Sequence, residues 1–153
     1  MNSLIIANRS AWDLATIEQY LENKCVPCRL SCITSDGFPH VTSLWFSYSD
    51  SRLWFSVQKS LCISAWLVAE PRCGFEIAGD DPPYLGVRGR GYAEVMPAST
   101  KPVLKSLIKR YMGTLDSSLA RWLLSRPDTE LTLALDPCWI TSWDYAKRMN
   151  KGS

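Results

Sequence analysis

The chain has 153 residues, 46% hydrophobic and 21% charged, a length that suits one domain (residues 1–153) with its own core and a composition outside the disordered range. Seventeen basic against fifteen acidic residues leave a formal charge of +2, which gives no strong electrostatic case for a nucleic-acid partner. No apolar run approaches the roughly 18 residues of a membrane span. The start, with its short Leu4-Ile5-Ile6-Ala7 patch, lacks the basic leader and long apolar stretch of a secretory signal, so a cytoplasmic protein with no membrane contact is expected.

Residues Ser10 to Lys24 read as the first helix, with Ser10 as its cap, Asp13 in its first turn, and Leu14, Ile17 and Leu21 on one face before Pro27 stops any continuation. Strands follow: Arg29 to Thr34, the Asp36-Gly37 reversal, His40 to Tyr48, a turn at Ser49-Asp50-Ser51, and Leu53 to Val57. Ser60 to Leu67 is a short helix entered through Gln58 and Lys59, and Cys73 to Ile77 is a further strand. The Gly79-Asp80-Asp81-Pro82-Pro83 loop precedes a longer strand, Leu85 to Val95, whose glycines at 86, 89 and 91 suggest a bulge or close backbone approach. Lys101 to Met112 is the clearest helix, with Leu104, Leu107, Ile108 and Tyr111 at helical spacing and Gly113 to close it. Ser118 to Leu124 is helical again, and Glu130 to Leu135 and Trp139 to Ser142 are last strands parted by Asp136-Pro137. Short strands with helices at the edges imply an antiparallel α+β domain, most simply a small barrel.

Chemistry-bearing motifs are sparse. Cys25-Val26-Pro27-Cys28, with Cys32 nearby, follows a helix and precedes a strand, the wrong polarity for a redox dithiol, and Cys62, Cys73 and Cys138 are scattered singly, which leaves no second pair for zinc. Reduced thiols acting as small hydrophobes are the reading that remains. With His40 as the one histidine, any triad must use it, and no nucleophile is marked beside it. Gly86-Val87-Arg88-Gly89-Arg90-Gly91 has strand on both sides and so is not a dinucleotide loop; Arg88 and Arg90 fall on one side of that strand. Trp54 reads as barrel core, and Trp45 as either core or groove wall. An enzyme with these residues takes its chemistry from a bound cofactor.

Ser56-Val57-Gln58-Lys59-Ser60 leaves a strand and enters a helix, where free N–H groups, the lysine charge and polar side chains together make a phosphate cradle. Its surroundings sharpen that reading. Arg29-Leu30, Asp36 through Phe46, Leu53-Trp54-Phe55-Ser56, Leu67 with Glu70-Pro71-Arg72, and Gly86-Val87-Arg88-Gly89 come in an order that resembles the flavin-binding split-barrel family, related to pyridoxamine 5'-phosphate oxidase and the flavin/deazaflavin oxidoreductases.

The resemblance implies a six-stranded antiparallel split β-barrel with peripheral helices, a homodimer, and FMN in a groove at the dimer interface. Thr42, Ser43, Leu44 and Trp45 resemble the residues along the isoalloxazine ring, and Ser56, Gln58, Lys59 and Ser60 those at the ribityl chain and phosphate. Trp143 and Arg148 resemble a Trp and an Arg that reach the cofactor from the partner chain. Cys62 stands where relatives often carry Arg or Lys, so Lys59 supplies the charge. An FMN-dependent oxidoreductase acting on a small molecule is the function so implied. A deazaflavin reductase, with Arg88 and Arg90 near an acidic tail, and a non-catalytic flavin carrier or sensor are the alternatives.

Overall fold

The computed structural model describes residues 3–150. Its frame is a curled sheet of eight strands: β1 (Ile5–Ile6), β2 (Cys28–Ile33), β3 (Pro39–Leu44), β4 (Ser47–Ser49), β5 (Arg52–Gln58), β6 (Arg72–Ala78), β7 (Leu85–Pro97) and β8 (Glu130–Asp144). They run in the order β3-β2-β6-β7-β8-β5-β4, antiparallel throughout, and β1 alone adds in parallel to β8. Five helices attach to it: α1 (Leu14–Asn23), α2 (Cys62–Ala69), α3 (Leu104–Met112), α4 (Ser118–Leu124) and α5 (Ala146–Met149). This is the expected α+β split barrel. Six strands are long, and β1 and β4 are short additions to them.

Where the barrel splits follows from connectivity. β3 and β4 are the two edges of the sheet, yet only Trp45-Phe46 joins them in sequence. A link that short forces the edges together, so the sheet rolls up and the gap lies between β3 and β4. The His40 to Tyr48 segment, expected as one strand, therefore breaks after Leu44. Inside the roll, alternate strand residues Leu30, Leu53, Phe55, Ile77, Leu133 and Leu135 meet Phe46 of the link, all fully buried, with Ile17 and Leu21 of α1 closing one side.

Other departures from the sequence reading have local causes. Asp13, not Ser10, caps α1, accepting a hydrogen bond from the Thr16 N–H at 2.9 Å, because the Ser10 hydroxyl is engaged with Ser142 at 2.8 Å and thereby ties the chain start to β8. The helix expected from Lys101 begins only at Leu104, since Pro102 has no N–H and the Lys101 carbonyl accepts from the Thr132 hydroxyl. Gly113 does close α3, in the left-handed region at φ 73°. The helix expected from Ser60 starts at Cys62, with Leu61 in the cap position.

The break expected at Asp136-Pro137 is absent, and β8 runs unbroken through it. Opposite, the register slips between Arg90 and Gly91, which pair with Trp139 and Pro137, so that Cys138 is the extra residue of a β-bulge. Proline donates no ladder bond, and a bulge is where an inner strand can accept one. Gly91 makes this possible: a Cβ there would collide with the Asp136 carbonyl oxygen. Gly91→Ala is therefore expected to destabilise the fold by about 1–3 kcal/mol or more, the range for overpacking a filled site. A urea melt of the variant that overlays the parent curve would show that the close approach is not needed.

Candidate functional site

The outer faces of β5 and β8 are covered, not open. Trp54, Ser56 and Gln58 share one face of β5, and across the ladder they oppose Ala134, Thr132 and Glu130 of β8. The arm made by α3 and α4 lies over this face, where Trp54, Val103, Leu107 and Ala134 form a second apolar cluster with Trp45 against it. Trp54 is thus buried as expected, but under α3 rather than in the barrel interior, and on the same face as Ser56 and Gln58.

Between the arm and the split the covering is incomplete, leaving a groove of about 440 Å³, within the usual range for small-molecule sites. Ser43, Leu44 and Trp45 line it from the end of β3, and Ser56 and Gln58 from β5. Val57, Leu61, Leu104, Leu107, Leu123 and Glu130 complete it. Trp45 stacks flat on Tyr111 of α3, with ring centroids 5.0 Å apart and planes 2° from parallel, and gives the groove a planar aromatic wall.

At one end the groove meets the start of α2. Leu61 caps that helix without a side-chain hydrogen bond, so its first-turn N–H groups have no side-chain partner. Lys59 and Ser60 are exposed just before it, with the Lys59 N–H held by the Thr129 carbonyl at 2.8 Å. An uncapped helix start beside a lysine suits a phosphate. Ser56 is different, since its hydroxyl donates to the Glu130 carboxylate at 2.8 Å and so points its proton away from any tail.

Of the ten residues singled out from the sequence, Ser43, Leu44, Trp45, Ser56 and Gln58 line the groove, and Lys59 and Ser60 stand at its edge. Thr42 pairs with buried Leu30 and falls on the opposite face of β3 from Ser43. Trp143 and Arg148 lie elsewhere in the same chain: Trp143 beside Gly86 under the Arg88 guanidinium (4.2 Å to its centroid), and Arg148 over Tyr145. Arg88 and Arg90 do share a face of β7; Arg88 pairs with Glu76 at 3.1 Å, and Arg90 lies over Trp139. With Arg29, Val41 and Glu76 they line a second, shallow depression of about 470 Å³ on the outer sheet face.

Sequence reasoning missed Glu130 and Tyr111. The signal for Glu130 was the alternation of Glu130, Thr132 and the small Ala134 with Leu131, Leu133 and Leu135, which reads as a solvated strand face until α3 and α4 are laid over it.

No family model and no curated protein sequence matches the chain. Its fold matches solved structures. The conserved protein Rv2991 of Mycobacterium tuberculosis superposes with a TM-score of 0.77 at 22% identity, covering 94% of this chain and 91% of that one. An F420 reductase superposes at 0.67 with 23% identity over 81% and 94%, and an FAD-binding protein of Mesorhizobium loti at 0.64 with 20% over 86% and 94%. The fold is the one used by flavin- and deazaflavin-related split-barrel proteins, and at these identities the likeness is one of fold.

The thiols are dispersed over the sheet and the ends of α1 and α2. All six are free, and the described residues hold no group of His, Cys, Asp and Glu able to bind a metal ion. Cys32 faces His40 across the β2–β3 ladder, but burial pushes its thiol up, and the His40 ring sits edge-on to Trp66 at 5.0 Å. Burial also pushes Cys28 upward and Cys73 up to about 12, with neighbouring cysteines adding to the shift. Because the thiolate is the reactive form, raising the pKa suppresses reaction across neutral pH. Iodoacetamide at pH 8 is expected to modify exposed Cys25 and Cys62 first and to spare Cys28 and Cys73 until the chain is unfolded. Mass mapping that finds Cys73 alkylated as fast as Cys25 would contradict this.

Proposed function

We propose that residues 1–153 form one flavin-binding unit that works as a homodimer and as an FMN-dependent oxidoreductase on a small molecule. The observation that carries this reading is the adjacency of two unlike surfaces. A groove with a flat aromatic wall runs into an uncapped helix start flanked by Lys59 and Ser60. Such a pair suits a ligand with a planar apolar ring at one end and a phosphate at the other. The fold likeness to a protein titled FAD-binding and to an F420 reductase supports the same cofactor class.

In this reading Leu44 and Trp45 would hold the ring, with Ser43 and Gln58 offering hydrogen bonds at its polar edge. Lys59, Ser60 and the first N–H groups of α2 would hold the phosphate. The bound flavin supplies the electron-accepting chemistry. The chain supplies position, and α3 and α4 exclude water from one side. The second subunit would seat on the outer sheet face that carries Arg29, Val41 and Trp139, bringing its own Trp143 and Arg148 toward the cofactor. A deazaflavin is the second reading, favoured by the F420 reductase likeness and by Arg90, which among the described residues has no carboxylate partner within 4 Å.

The test is a fluorescence titration of the purified chain with FMN and, in parallel, with a deazaflavin. Saturable quenching by one of them is expected, weakened about tenfold or more in a Lys59→Ala, Ser60→Ala double variant, the scale of a lost charge-assisted hydrogen bond. Binding of neither cofactor would sink the proposal. Flavin binding with no turnover of NAD(P)H would mark a carrier rather than an enzyme.

A further inference from the structure

Glu130 is 6% exposed, and the described structure gives it no cation. Among the described residues, its side chain takes a hydrogen bond from Ser56 alone. Among the described residues the nearby lysines form no ion pair with it: the Lys101 amine lies 3.7 Å from Asp50 and 4.8 Å from the Trp54 ring, and Lys105, which lines the same chamber, makes none. A buried carboxylate without a cation is a costly arrangement, because its desolvation is not offset by a partner.

This carboxylate sits where two cavities meet. Beyond the groove, a more enclosed chamber of about 160 Å³ lies under the arm, and the two share Ser56, Leu104 and Glu130. Apart from Lys105 and Thr132, the chamber's remaining walls are apolar, with Val103, Leu124 and Pro127 among them. We propose that this junction is a binding site for a small organic ammonium ion with an apolar body. The ammonium would donate to Glu130, whose carboxylate has roughly four acceptor positions and spends one on Ser56. The apolar body would fill the chamber, whose volume is close to the roughly 150 Å³ that holds a benzene ring in a dry protein cavity. An anion of the same shape is repelled, and a neutral isostere leaves the carboxylate uncompensated. The site does not require the flavin.

Calorimetric titration of the full chain with benzylammonium, benzyl alcohol and benzoate tests this, with and without added FMN, whose own binding is read separately by its fluorescence. Benzylammonium is expected to bind, the alcohol at least tenfold more weakly, and benzoate not at all. Glu130→Gln, which keeps an acceptor for Ser56 and removes the charge, is expected to weaken the amine at least tenfold. Ala98→Phe, which narrows the chamber from its loop side, should weaken it while leaving Glu130 in place. Equal affinity for amine and alcohol, no amine binding at millimolar concentration, or full affinity in either folded variant overturns the proposal. If Glu130→Gln does not fold, the ligand series and Ala98→Phe decide it. Loss of flavin binding alone leaves it standing.

Discussion

The two edges of the sheet are joined by Trp45-Phe46, and closing that joint sets most of what surrounds the groove. A split barrel leaves backbone groups at the seam without ladder partners, and buried ones must find others. Tyr111 provides them. Its hydroxyl accepts from the Phe46 N–H at 3.2 Å and donates to the Val26 carbonyl at 2.8 Å, so one phenol bridges the end of the seam to the start of β2. Burial raises the Tyr111 pKa, which keeps the proton on the oxygen that must donate it. The preceding residue, Arg110, turns the other way and donates to the carbonyls of Leu21, Glu22 and Lys24, satisfying acceptors at the C-terminus of α1. Two adjacent residues at the end of α3 therefore fasten the arm both to the seam and to the helix that covers the barrel. The Tyr111 ring that does this is also the ring on which Trp45 stacks, so the groove wall and the barrel closure are one structural feature.

Once α3 is fixed there, α3 and α4 must cover the outer face of β5 and β8, and those strands become apolar on both sides. Leu53, Trp54 and Phe55 are consecutive and all buried, as are Leu133, Ala134 and Leu135. Continuous apolar runs of this kind belong to strands covered on both faces. The arm does not fill the space completely, because Ser56 and Glu130 occupy positions at which larger apolar side chains would have completed the cluster around Trp54. The incomplete covering leaves the cavities.

How much of this was legible in the sequence depended on whether a signal was local. Gly113 after the Leu104, Leu107, Ile108, Tyr111 face, and Gly37 in its Asp-Gly turn, act through their own backbone, with φ of 73° and 87°, and both were readable. Asp13 and Ser10 are both good caps within one short stretch, and only the contact between Ser10 and Ser142, far along the chain, decides between them. Pro137 looked like a strand end because the slip that admits it lies on β7, at Gly91. In the candidate site, the strand ends that line the groove were legible through an ordered resemblance spread along the chain. Glu130 was not, because its burial is imposed by helices that no local pattern near residue 130 announces.

The groove is electrostatically uneven. Glu130, a carboxylate with little exposure, lies opposite Gln58 on the ladder, while Lys59, the next residue, and the positive start of α2 stand in solvent. The buried charge acts through low-dielectric surroundings and is little screened, whereas the exposed one is weakened by water and salt. The two opposite charges are therefore separated by depth and not by distance along the strand, with the Leu104, Leu107 and Trp45 walls supplying the apolar part of the groove. That unevenness follows from placing one acidic residue on a strand face that the arm covers.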